Sequence, residues 1–128
     1  AHSDIPVLMA SISSGSDAVL ILKDHLIVSS IALIYQKCKV RSLPLFSLDE
    51  GSVNGGACLA LGVREHDIGK KGAELLLKKI NSSKTEKIIS MKKLNLFYKK
   101  SHCLEKTVKH EKIILDSATN LGHKIIRM

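Results

Sequence analysis

The sequence predicts an α/β fold, an open and mostly parallel sheet flanked by helices, and three observations predict it. The chain has 128 residues and is 45% hydrophobic, yet holds only two Phe, two Tyr and no Trp. Its core must therefore be built from Ile, Leu, Val and Ala, as in helix-covered parallel sheets. Apolar runs of strand length, DAVLIL at 17–22, LPLFS at 43–47 and ACLALGV at 57–63, are separated by segments of helical or turn character. The first two runs are each followed closely by an aspartate, Asp24 and Asp49. One core fits this length and two ordinary domains do not, so residues 1–128 read as a single α/β unit.

Taken in order, IPVLMASIS (5–13) reads as a short helix, with Asp4 as N-cap, Pro6 in the first turn and Ser14–Gly15 as the stop. DAVLIL then reads as a strand buried on both faces. The following segment, from Leu26 to Lys39, places Ile27, Ile31, Ile34 and Cys38 at helical spacing. Asp24 stands at the junction. Its carboxylate either caps the helix, worth about 0.5–2 kcal/mol, or faces a ligand from the carboxyl end of the strand; position alone leaves both roles open. Arg41–Ser42 makes a basic turn, and Leu43–Ser47 closes a right-handed β-α-β unit.

The stretch PLFSLDEGSVNGGACLALG (44–62) organises the chain as a strand, a glycine-studded acidic loop and a second strand. Loops beyond the carboxyl ends of parallel strands are where ligands bind in such sheets. Asp24 and Asp49 fall on that same edge. Paired carboxylates there could hold an ammonium group or a metal, or do acid–base chemistry. No nucleophile, phosphate-cradling loop or cofactor fingerprint accompanies them, since GSVNGG lacks the G-x-G-x-x-G spacing. The reading is binding without turnover, with no catalytic residue, no cofactor and no metal.

Further along, Asp67 is expected to cap a helix with Ala73, Leu76, Leu77 and Ile80 on one face and lysines on the other, ending at Asn81. His66 reads as a surface or capping residue. Lys87–Met91 is an expected strand. Residues 92–111 turn basic and lose periodicity, which reads as an insertion or mobile basic segment. Lys112–Leu115 is then expected as the last strand, and Asp116–Leu121 as a short helix stopped by Gly122.

The formal net charge of +8 invites a nucleic-acid partner. The lysines instead fall on solvated helix faces with hardly any aromatic residue to stack on bases, so no nucleic-acid partner is expected. Cys38, Cys58 and Cys103 stand far apart with no C-x-x-C pair. The odd, sparse set argues against a disulfide framework or a zinc site, Cys38 and Cys58 read as buried thiols, and His102, Cys103 and His110 show no metal-ligand spacing. The sequence has no run of about 20 apolar residues.

Several motifs occurring in order resemble one family. DAVLILKD (17–24), LPLFSLDEGSVNGGACLALGVREHDIG (43–69), KKGAELLLKKI (70–80) and KIILDSATNLGHKI (112–125) are similar to the C-terminal half of bacterial ABC-transporter substrate-binding proteins. The likeness covers most of residues 5–91 and 112–126. It implies a partial lobe of the type I periplasmic-binding fold, a small amino-acid-like solute as ligand and a membrane permease as partner. Residue by residue, it implies that Asp24 and Asp49 contact the ligand's ammonium group, with Ser47 and Gly56 adding polar and backbone contacts. Lys23, Leu48 and Glu65–His66 depart from the family pattern, and Lys23 could itself neutralise Asp24. The family's first lobe has no counterpart here, so apolar surface within residues 57–80 would be left open, or covered in a homodimer by exchange. The resemblance implies a periplasmic or extracytoplasmic location; no signal peptide opens the chain, so a natural truncation would stay cytoplasmic. The alternative function is a stand-alone doubly wound regulatory or partner-binding domain, with nucleic-acid binding and an acid–base enzyme behind it.

Overall fold

Five strands pair in the order in which they occur: β1 (Val19–Ile21), β2 (Leu45–Ser47), β3 (Leu59–Gly62), β4 (Asn95–Tyr98) and β5 (Lys124–Arg127). The first three are mutually parallel, β4 runs antiparallel to β3, and β5 is parallel to β4. The sheet is thus open and mostly parallel. The computed structural model describes residues 4–81, 90–91 and 93–128. Among them no helix is long and apolar enough to cross a membrane.

The β-α-β unit forms, with β1 and β2 registered Val19↔Leu45 to Ile21↔Ser47, but β1 is not buried on both faces as expected: it ends the strand order of the sheet, and only Ile21 of its three residues is buried while Leu20 is exposed. Its crossover is two helices rather than one, α2 (His25–Ser29) and α3 (Ile31–Val40), broken at Ser30. The apolar positions read from the sequence face inward: Ile34 and Cys38 are buried, and Ile27 and Ile31 pack against them. Helix α1 (Ile5–Ser11) starts at Asp4 and Pro6 as anticipated, although the Asp4 side chain makes no capping hydrogen bond. Arg41 joins α1 to α3, its guanidinium donating to the carbonyls of Met9 (2.9 Å) and Ile12 (2.7 Å).

One core holds these layers together. Ile5 and Met9 of α1, Ile34 and Cys38 of α3, and Ile21, Leu45, Ala60 and Phe97 of the sheet form a continuous buried cluster. Burial in this cluster pushes the Cys38 thiol above its ordinary pKa, against the pull of Arg41, as fits an inert core cysteine. Leu96 and Tyr98 alternate with Phe97 and are buried as well; α7 (Glu111–Asn120) packs on β5 beside them.

The carboxyl-terminal third departs from expectation. The basic stretch at 92–111 lacked periodicity in sequence, yet its residues 93–111 hold β4, whose four residues are all buried, followed by a 3₁₀ turn at Lys100–His102 and helix α6 (Glu105–Val108). A strand covered on both faces shows no alternation, which is why NLFY gave no period-2 signal. Lys112–Leu115 is helix rather than strand, because the short apolar run KIIL belongs to α7; a run of that length fits either structure. The last strand is β5, beyond the helix stop at Gly122, which has φ 75°. The strand expected over 87–91 falls mostly on residues outside those described.

A disulfide overturns the reading of Cys58 as a buried thiol and of the three cysteines as lying outside any disulfide framework. Cys58, at the entrance to β3, is bonded to Cys103, just after the 3₁₀ turn, with their Cα atoms 4.5 Å apart and the two 45 positions apart in sequence. The antiparallel β3–β4 pairing creates that proximity, since Leu59 lies opposite Tyr98.

Candidate functional site

Because β1, β2 and β3 are parallel, the residues that follow them gather on one edge of the sheet. Lys23 follows β1, Asp49 follows β2, and Arg64–Glu65 follow β3. A groove of about 350 Å³ opens there, with Lys23, Val28, Asp49, Glu50, Val63 and Glu65 on its walls. A glycine shapes it: a Cβ on Gly62 would lie 2.6 Å from the Leu48 carbonyl oxygen, so β3 passes the loop after β2 only without a side chain.

The loop after β2 is not the plain turn expected from its glycines. It contains a short helix, α4 (Glu50–Asn54), capped by Asp49. The buried Asp49 carboxylate accepts from the Ser52 amide at 3.2 Å and from the Ser52 hydroxyl. The Ser47 hydroxyl accepts from the Asp49 amide at 3.1 Å, and its proton has both the Asp49 carbonyl (3.1 Å) and Oδ2 (3.4 Å) within reach. Ser47 is 2% and Ser52 0% exposed, so this network satisfies groups that burial would otherwise penalise.

Asp24 does the same for α2. Its Oδ1 accepts from the amides of Leu26 (2.9 Å) and Ile27 (3.2 Å), which is the capping role. The two aspartates share an edge, but each turns its carboxylate onto the helix that follows it. Asp49 reaches the groove wall and Asp24 does not. Gly56 is buried at φ 132°, where a Cβ would run into the Tyr35 ring; it allows α3 and the start of β3 to pack closely.

Sequence reasoning missed the charges that line the groove. Lys23 does not neutralise Asp24; its ammonium donates to Glu65 Oε1 at 2.8 Å, across 42 residues of sequence. The hydrogen bond that Lys23 donates to Glu65 is the main reason its pKa is raised, with the more distant Asp49 adding to it. Arg64 faces Glu50 at 3.6 Å. The departures from the family pattern at Lys23 and Glu65 were the signal that could have found this pair. The groove thus offers a cation and two carboxylates, those of Glu50 and Glu65, on its walls, an arrangement that can hold a zwitterion by charge-assisted hydrogen bonds.

Two other hollows lie elsewhere. One of about 110 Å³ sits beside Tyr35, Lys39, His102 and Cys103, where His102 stacks near Tyr35 with ring centroids 5.6 Å apart and places Nδ1 2.9 Å from the Val53 carbonyl. The other, about 410 Å³, is walled only by α6, α7 and the turn between them, and no strand end reaches it. His66 lies on the surface, 3.5 Å from Asp67. Asp67 sits within the first turn of α5 (Glu65–Asn81) rather than capping it. Among the described residues, no group of three or more His, Cys, Asp or Glu is placed to hold a metal ion.

Comparison with known proteins agrees with this architecture. A family model described as "ABC transporter substrate binding protein" matches residues 1–121. An uncharacterized protein of Rickettsia prowazekii (strain Madrid E) is 45% identical over 78 residues, covering 61% of this chain and 25% of that protein. Among solved structures, the ABC domain in complex with L-Trp from Streptococcus pneumonia superposes with a TM-score of 0.71 at 14% identity, over 98% of this chain and 43% of that one. A ligand-free, open substrate-binding protein with adhesive properties from Clostridium difficile gives 0.64 at 14% identity, over 100% of this chain and 42% of the other. A conserved domain protein of Vibrio cholerae gives 0.64 at 18% identity, over 84% and 40%. At these identities the structures share the fold, and this chain spans a quarter of the curated relative and about two fifths of each structure.

Proposed function

Because the chain belongs to the ABC transporter substrate-binding protein family, we propose that it is part of a solute-binding protein whose ligand, a small amino-acid-like zwitterion, sits in the groove at the carboxyl edge of β1–β3. The family match over residues 1–121 carries this reading. The groove supports it: its size, about 350 Å³, is in the range of small-ligand sites, and the L-Trp in one structural neighbour is a ligand of the same class.

In this reading Lys23 takes the ligand carboxylate, and Glu65 and Glu50 take the ammonium group. Ligand entry exchanges the Lys23–Glu65 ion pair for two charge-assisted contacts, so little electrostatic energy is lost on binding. Asp49 shapes the wall, while Asp24, Ser47 and Gly56 hold the scaffold. The protein binds and releases its ligand without turnover, and delivers it to a membrane permease. The Cys58–Cys103 disulfide fits an extracytoplasmic, oxidising setting.

The test is thermal unfolding in the presence of free amino acids and of their N-acetyl and decarboxylated analogues. Linkage predicts that a ligand at about ten times its Kd adds roughly 1.4 kcal/mol. At least one free amino acid should raise the Tm, with both blocked analogues inactive and Lys23→Met abolishing the rise. If no amino acid raises the Tm, or if blocked analogues act equally well, the proposal fails.

A further inference from the structure

A short line of contacts runs from the Cys58–Cys103 bond to the wall of the groove. His102, the residue before Cys103, places Nδ1 2.9 Å from the Val53 carbonyl oxygen and leans on the Tyr35 ring. A carbonyl only accepts, so Nδ1 carries the proton and donates it. The Gly56 amide reaches the same oxygen at 3.4 Å, which leaves His102 the shorter of the two bonds. Val53 lies near the carboxyl end of α4, whose other end is capped by Asp49 and begins with Glu50, both on the groove wall. A helix of five residues has almost no ladder of its own and spans only about 7 Å. Its position is set by the Val53 side chain in the core and by what holds its two ends, so a displacement at the His102 end reaches the groove.

We propose that His102, seated by the Cys58–Cys103 bond, is a positioning residue for the groove, and that opening this bond weakens solute binding; the proposal rests on the solute-binding reading. Cys58 is fully buried, whereas Cys103 is half-buried on the wall of the smaller hollow, so a dithiol reaches the bond through the Cys103 sulfur. One thiolate of the dithiol bonds to that sulfur and releases Cys58; its second thiolate then displaces Cys103, and the dithiol leaves as a cyclic disulfide. Two electrons pass to the protein's sulfurs, which take up two protons. The Lys99 amide stays bonded to the Cys58 carbonyl at 3.0 Å, so the sheet keeps its pairing and only the turn beyond it is freed. With the turn freed, the His102–Val53 bond is lost, and Asp49 and Glu50 lose their fixed placement opposite Lys23 and Glu65. Such coupling is reciprocal: a bound solute makes the bond harder to open by the same factor by which opening weakens the solute's binding.

The test uses the intact chain and a free amino acid that raises its Tm, with Kd measured by calorimetry on the oxidised chain, on the chain reduced by dithiothreitol, and on two variants. His102→Phe keeps the disulfide and a ring against Tyr35 but has no donor; His102→Asn keeps the disulfide and puts an N–H where Nδ1 stands. Reduction and His102→Phe should each weaken binding at least about fivefold, and His102→Asn should bind as the unmodified chain does. Reducing His102→Phe should weaken binding little further, because both changes remove the same contact; a general loss of stability would instead add to the first. In dithiothreitol buffers of varied oxidised-to-reduced ratio, saturating amino acid should shift the half-opening ratio by the factor that separates the two Kd values. Equal Kd in the oxidised and reduced chains, a His102→Asn chain as weak as His102→Phe, or a bond that dithiothreitol does not open in the folded chain overturns the proposal and leaves the solute-binding reading standing. If no amino acid binds the oxidised chain, that reading fails and the proposal falls with it.

Discussion

Lys23 and Glu65, 42 residues apart in sequence, meet at 2.8 Å and tie the exit of β1 to the entry of α5. Both side chains are more than half exposed, so the pair contributes little stability once solvent and salt screen it. Lys23→Met should lower the unfolding free energy by less than about 1 kcal/mol, and by less still at high salt. Urea titrations at two ionic strengths test this; a loss well above that size would mean that Lys23 is structural and not held in reserve for a ligand.

The two aspartates at the same edge should differ sharply when removed. Asp24 is an exposed cap with two amide donors, so Asp24→Ala should cost about 1 kcal/mol. Asp49 is buried and satisfies Ser47 and Ser52 as well as the α4 amide. Asp49→Ala leaves the buried Ser52 hydroxyl and amide without their acceptor, while Ser47 keeps the backbone carbonyl, and should cost about 2–4 kcal/mol. Denaturation midpoints for the two variants decide it, and equal losses would contradict the buried network.

The disulfide closes a loop of 45 residues around β3, α5 and β4. In the chain-entropy account its reduction frees the unfolded state, so tris(2-carboxyethyl)phosphine should lower the unfolding free energy by about 2–4 kcal/mol. A midpoint unchanged by the reductant would show that the bond is absent in solution.

Tyr98 gives a pH signature. Burial, and then the Glu111 carboxylate beside it, push its phenol above the ordinary value. A raised pKa in the folded state means that the folded protein holds the proton longer than the unfolded chain does. The associated stability is therefore complete below pH 10 and declines as pH rises through and beyond it. Ultraviolet titration should show a tyrosinate step above the ordinary tyrosine range, with Tyr98→Phe removing it.

The β-α-β unit was legible because its strands are separate apolar runs and its helix has buried residues at a strict period: Ile34 and Cys38 sit where the spacing put them. The strands β4 and β5 were not, because NLFY is covered on both sides and KIIR is too short to show alternation. Lys112–Leu115 was misread for the converse reason, four residues of a helix imitating a strand. Cys58–Cys103 and Lys23–Glu65 depend on the β3–β4 pairing and on the shared strand edge, which no local window of sequence records. The Asp24 cap was legible as one of two roles, since capping is a local matter of an aspartate before a helix.

The most direct test of the solute-binding account is an amide NMR titration of the chain with a free amino acid that raises its Tm. The account predicts saturable shifts centred on Lys23, Asp49, Glu50 and Glu65, around the groove at the carboxyl edge. Shifts confined to the hollow beside Tyr35 and His102, or none at saturation, would contradict it.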